Sequence, residues 1–107
     1  MNIETLNIFC EVVRHQSFSR GAVANSVSQS AASQAVRQLE KHLGAQLIDR
    51  SKRPWQVTPE GKVFFKGCQE IVERYRELED DVRRQQNQSD HTVRLAAIYS
   101  VGLQHLS

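Results

Sequence analysis

A mainly α fold is predicted for this chain: three short helices, a small β-hairpin and then one long helix. Three observations predict it. Residues 17–43 hold two short amphipathic segments joined by a tight turn. Two β-like runs, Leu47-Ile48-Asp49-Arg50 and Trp55-Gln56-Val57, bracket the polar tetrad Ser51-Lys52-Arg53-Pro54. Beyond them Thr58-Pro59-Glu60 places an N-cap, a Pro at the first helical position and an acid near the positive end of the helix dipole.

Taken in order, residues 4–15 read as the first helix, with Leu6, Phe9, Cys10 and Val13 on one apolar stripe and Ile8 and Val12 beside it. Ser19 is the expected N-cap of a second helix that runs to about Asn25, with Phe18 plugging the core between the two. Asn25-Ser26-Val27 makes the turn. Ser28 caps the third helix, which reaches about His42 and stops at Gly44. The hairpin follows, and the three helices with a basic-tipped hairpin make a winged helix-turn-helix over residues 1–58.

The long helix spans 59–86. Within it Phe64, Cys68, Ile71, Tyr75, Leu78 and Val82 recur at alternating steps of four and three, which is a heptad seam. A lone helix cannot bury such a stripe, so a partner is expected: a second copy of the chain, making a homodimer, or other parts of this one. Residues 87–92 form a polar hinge. Val93-Arg94-Leu95-Ala96-Ala97-Ile98 reads as a strand, followed by a turn and a scrap of helix, so 93–107 looks like the truncated start of a further domain.

Composition narrows the function classes. At 107 residues the chain is about one domain with one extension. Its 39% apolar content, below the usual ~45–50%, suits an elongated or part-exposed molecule. Residues 1–58 hold seven Lys/Arg against four Asp/Glu, whereas 59–107 hold seven against eight, so the positive bias lies in the first part. Cys10 and Cys68 each fall on the apolar side of a helix with no Cys nearby, and two buried free thiols are expected rather than a disulfide. No segment reaches the ~18 apolar residues of a membrane span, and the N-terminus lacks a basic stretch leading into an apolar core. A soluble, cytoplasmic protein with no membrane partner is therefore expected. His15, His42, His91 and His105 show no ligand spacing. No phosphate loop or carboxylate pair stands out either, so neither an enzyme nor a metal site is expected.

The third helix carries the functional signal. At ~100° per residue Ala32, Val36, Leu39 and Leu43 share one side, and Ser30, Ser33, Gln34, Arg37 and Lys41 take the other. Every charge on that second face is positive. Short donors and acceptors beside cations suit base edges and phosphates of double-stranded DNA. Gln34, Ser33 and Ser30 are the candidate base readers, and Arg37 can take guanine or phosphate. Gln29, in the first turn, lies near exposed N–H groups that can hold a phosphate oxygen, and the cap Ser28 beside it is a further candidate DNA contact. Lys52 and Arg53, at the hairpin tip, suit a narrow minor groove. Arg50 reads as a phosphate clamp or a surface ion pair. The residues leave bland alternatives open: a plain polar surface for the helix, and a solvated basic turn for the hairpin.

Several pieces together make the chain similar to the N-terminal part of a LysR-type transcriptional regulator: Ser17-Phe18-Ser19-Arg20, Val27-Ser28-Gln29, Ser33, Leu39-Glu40, Leu43-Gly44, Leu47-Ile48-Asp49-Arg50, Lys52-Arg53-Pro54 and Thr58-Pro59-Glu60-Gly61. The resemblance implies a winged helix-turn-helix followed by a dimerising linker helix. Two such helices pack antiparallel and set two reading heads on an interrupted palindrome. It also implies a C-terminal effector domain in the full-length protein, often joined into tetramers, that senses a small molecule. Ser100 falls where that domain often places a hydroxyl beside the effector, in a site that would be incomplete here. No cofactor is implied for residues 1–107. The chain departs from the family pattern at Ser30 (usually Pro), Gln34 (often Arg) and Gly21 (usually Ala). Gly21 should cost ~0.5–1 kcal/mol against Ala, with no compensating reason visible in the sequence. Two rival readings are a MarR-type winged-helix regulator and a protein-interaction module working through the heptad helix.

Overall fold

A computed structural model describes the backbone of residues 1–95 and the side chains of residues 1–88. The elements run α1 (Ile3–His15), α2 (Phe18–Ala24), α3 (Gln29–Leu43), β1 (Ile48–Asp49), β2 (Gln56–Val57) and α4 (Pro59–Leu95). The mainly helical winged helix-turn-helix expected from the sequence is therefore present. Met1–Glu73 form one compact unit, and the chain from Arg74 onward forms a second.

Local chemistry starts and stops each helix. The Asn2 carboxamide oxygen accepts from the Thr5 N–H at 2.9 Å and opens α1, with Glu4 in its first turn and Arg14 and His15 in its last. Gln16 then turns the chain at φ 51°. The cap of α2 is Ser17, not Ser19: its hydroxyl accepts from the Arg20 N–H at 3.0 Å while its own backbone is extended. Two serines compete there, and the left-handed turn at Gln16 places the first of them where the first-turn amides of α2 emerge. Ser28 caps α3 by accepting from the Ala31 N–H at 3.0 Å, and Gly44 ends it at φ 68°.

The core of the first unit gathers Phe9, Val12, Ala32, Val36, Leu39, Leu47 and Ile48, all at most 1% exposed. Val12 is fully buried and Val13 only partly, so the stripe of α1 is rotated slightly from the one its spacing suggests. Leu43, placed on the packing side of α3, is 39% exposed because the helix runs past the core there. The hairpin is antiparallel, Ile48 opposite Val57 and Asp49 opposite Gln56. Thr58 joins it to α4: its hydroxyl donates to the Gln46 carbonyl at 2.6 Å and accepts from the Gly61 N–H at 2.9 Å. At Gly61 a Cβ would stand 2.1 Å from the Leu47 carbonyl oxygen, so only glycine lets α4 start against the hairpin.

The long helix departs from expectation at both ends of its apolar seam. Cys68 is 2% exposed and its thiol donates to the Leu6 carbonyl at 3.3 Å. Phe64 meets the Phe9 ring edge-on, centroids 5.5 Å apart. Both were expected at a dimer interface; both instead close the core of their own unit, because that core leaves Phe9 and Leu6 uncovered until α4 packs on them. Val72 (5% exposed), one residue beyond Ile71 (54%), is the next position turned inward. At its other end α4 continues through 87–92 and over 93–95, where a hinge and the first residues of a strand were expected. From 85 to 95 the chain holds Gln85, Gln86 and Gln88 and no Gly or Pro to stop a helix. The rest of the expected strand, 96–98, and Ser100 lie outside the described residues.

Within the second unit, Tyr75, Leu78 and Val82 are 42%, 45% and 63% exposed. Ion pairs at i,i+3, Arg74–Glu77 at 3.2 Å, Asp80–Arg83 at 3.4 Å and Asp81–Arg84, line the helix around them. Exposed pairs of this kind contribute little stability each.

Candidate nucleic-acid interface

The exposed side of α3 is built by its own burial pattern. Ala32, Val36 and Leu39 point into the core, which turns Ser30, Gln34, Arg37 and Lys41 to solvent and leaves Ser33 half-buried at the edge. The wing stands beside it. Gln29, Ser33 and Arg37 from α3 and Arg50, Lys52 and Arg53 from the wing line one cleft of about 330 Å³. Phe18 and Trp55 wall it, their rings edge-to-face at 5.4 Å.

Six of the ten sequence-predicted contact residues thus converge on a single cleft. Ser28, Ser30, Gln34 and Lys41 are exposed on α3 without lining it. Ser28 already uses an oxygen lone pair as the helix cap, which leaves its O–H free to donate outward.

Arg50 corrects its expected place. It is no surface ion pair: its Nη1 donates to Glu40 Oε1 at 3.0 Å, with side chains 24% and 13% exposed. Its guanidinium carbon stands 5.9 Å from the Phe18 ring centroid, within cation–π reach. The guanidinium therefore lines the cleft with its Nη1 held by Glu40. The same Glu40 carboxylate accepts from the Leu47 N–H at 2.8 Å and the Ile48 N–H at 3.1 Å. Sequence reasoning missed this role of Glu40. The available signal was an acid in the last turn of a helix, where the dipole disfavours it unless it has partners.

At the wing, Asp49 accepts from the Ser51 hydroxyl and from the Ser51 N–H at 3.0 Å, closing the turn before Lys52 and Arg53. The hydroxyl bond foremost, and then the amide bond, hold the Asp49 carboxyl below its ordinary value. Cys10 and Cys68 are both buried and neither is in a disulfide. The hydrogen bond between the two thiols, reinforced by burial, pushes the Cys68 thiol far up. Among the described residues no three His, Cys, Asp or Glu side chains are placed to hold a metal, and no helix is long and apolar enough to cross a membrane.

Comparison with known proteins agrees with this geometry. The family model described as bacterial regulatory helix-turn-helix protein, lysR family, matches residues 3–62. The HTH-type transcriptional regulator CrgA of Neisseria meningitidis is 39% identical over 72 residues, covering 67% of this chain and 24% of its own length. The HTH-type transcriptional regulator YjiE of Escherichia coli is 30% identical over 104 residues, 95% of this chain and 34% of its own. The chain therefore spans between a quarter and a third of the length of these relatives. Among solved structures, the DNA-binding domain of BenM in complex with catB site 1 DNA superposes with a TM-score of 0.73 at 31% identity, covering 78% of this chain and 94% of that one. The helix-turn-helix, the hairpin and a long helix after them are thus elements shared with these proteins, and the chain belongs to the LysR family of bacterial regulatory helix-turn-helix proteins.

Proposed function

We propose that this chain is the DNA-reading part of a sequence-specific transcriptional regulator acting in the cytoplasm as a homodimer. α3 lies in the major groove, with Gln34, Ser30 and Ser33 at base edges and Arg37 on guanine or a phosphate. Lys41, the cap residue Ser28 and the first-turn residue Gln29 face the backbone. Lys52 and Arg53 follow into the adjacent minor groove. Ile71, Tyr75, Leu78 and Val82 pair with the same residues of a second copy and set two reading heads on an interrupted palindrome. A small-molecule effector domain completes the full-length protein, which can assemble further to a tetramer.

The observation that carries this reading is the single cleft where Gln29, Ser33 and Arg37 face Lys52 and Arg53. Two elements that enter different grooves are thereby presented together. The likeness to a domain crystallised on DNA supports it. Selection of duplexes from a random pool tests it: an enriched half-site repeated at a fixed spacing is expected, and no enrichment over background rejects sequence-specific reading. Replacing Gln34 by Ala should then weaken the selected site by ~1–3 kcal/mol and relax one base position. An unchanged binding profile across sequence variants removes Gln34 as a reader.

A further inference from the structure

The wing's strands are two residues each, too short to hold an orientation by their own pairing. Their direction relative to α3 must come from tertiary ties: Leu47 and Ile48 are buried in the core with Val36 and Leu39, and one carboxylate supplies the side-chain hydrogen bonds from α3. Glu40, in the last turn of α3, accepts at Oε2 from the Leu47 and Ile48 amides at 2.8 and 3.1 Å and at Oε1 from Arg50 Nη1 at 3.0 Å. Arg50 in turn lies over Phe18, and Phe18 meets Trp55 at the start of the wing's return strand. Arg50 Nη2 is buried with no hydrogen-bond partner among the described residues. The placement of the guanidinium therefore rests on the Nη1–Glu40 pair and the Phe18 ring.

We propose that Glu40 is a positioning residue for DNA reading. Without touching the duplex it sets the angle between α3 and the wing, so that Arg37 and Arg53 reach the same stretch of DNA from opposite walls of the cleft. This inference rests on the DNA-reading role proposed above. The chemistry is demanding: every group facing the carboxylate is a donor, so both of its oxygens must accept. A glutamine in either amide orientation turns an NH₂ toward a donor and loses at least one tie. The shape of the side chain is kept and the angle is not.

The test is a double-mutant cycle in the 107-residue chain: Glu40→Gln, Arg53→Ala and both together. Each is titrated over a range of salt with a duplex recovered from a random pool by the unaltered chain, at a temperature where circular dichroism shows the variant folded. Glu40→Gln is expected to weaken binding about tenfold and to lower the salt slope by about one contact, as Arg53→Ala does. The double variant should lose little more than either alone. Arg50→Lys, which keeps the cation and the amide ties, guards against misfolding: its smaller loss should couple to Arg53 in the same way. Additive losses, or an unaltered salt slope in folded variants, overturn the inference and leave Glu40 a stabilising residue only. Failure of the unaltered chain to bind any duplex removes the DNA-reading role itself.

Discussion

Gly21 packs against Val12 so closely that a Cβ at position 21 would stand 2.5 Å from Val12 Cγ2 and 2.8 Å from the Val12 backbone N and Cα. Helix α2 thus crosses α1 backbone to backbone, and the glycine that looked like a needless loss of helix propensity is what permits the approach. Gly21→Ala should accordingly destabilise the fold by ~1–3 kcal/mol rather than stabilise it, because two of the three contacts are with main chain that cannot swing aside. Urea unfolding measures the difference. A variant as stable as the parent, or more so, would mean the two helices can slide apart at little cost.

The apolar positions of α4 should separate into two classes under mutation. Phe64 sits edge-on to Phe9, so Phe64→Ala should lower stability by about 2–3 kcal/mol whatever the oligomeric state. Leu78 is 45% exposed, so Leu78→Glu should leave the stability of residues 1–73 unaltered and convert dimers to monomers. Sedimentation together with thermal melting reads both. Intact dimers in Leu78→Glu would place the second copy elsewhere.

Asp49 offers a pH readout at the wing. Its carboxyl titrates below its ordinary value of 3.8 because the Ser51 hydroxyl, and next the Ser51 amide, donate to the ionised form. A depressed folded-state value means that this contribution is complete above about pH 3.8 and is lost as pH falls through the lower folded value. Carboxyl-carbon NMR should find the midpoint below 3.8, and Ser51→Ala should move it upward. A midpoint that does not respond to Ser51→Ala would show that the turn is not closed by that hydroxyl in solution.

The two thiols should be inert in the native protein. Cys10 and Cys68 are 1% and 2% exposed, and the hydrogen bond between them, with burial, holds Cys68 protonated far above neutral pH. Alkylation by iodoacetamide should proceed no faster than the unfolding of the core that covers them. Labelling of either thiol within the mixing time would indicate an opening of α4 from α1 without global unfolding.

Most of the helix limits were legible because they are written in nearest-neighbour chemistry. Ser28 bonds an amide three residues on, Gly44 accepts a positive φ, and Pro59 fits only the first turn of a helix. The polar face of α3 was legible for a related reason: once Ala32, Val36 and Leu39 are assigned inward, the helical period assigns Gln34 and Arg37 outward.

Periodicity names an apolar stripe but not its partner, and there the tertiary structure decided. Phe64 and Cys68 lie on the same seam as Leu78 and Val82, yet the first two fill their own core and the last two remain uncovered. The same holds for Arg50, whose charge suggested an outward role until the fold set Glu40 beside it across ten positions of sequence. It holds also for Gly21, whose reason is a neighbour in space rather than in sequence. Bonds between near neighbours along the chain are specified by local residue order; the contacts that set these four positions form only when distant segments meet, and no local pattern encodes which ones will.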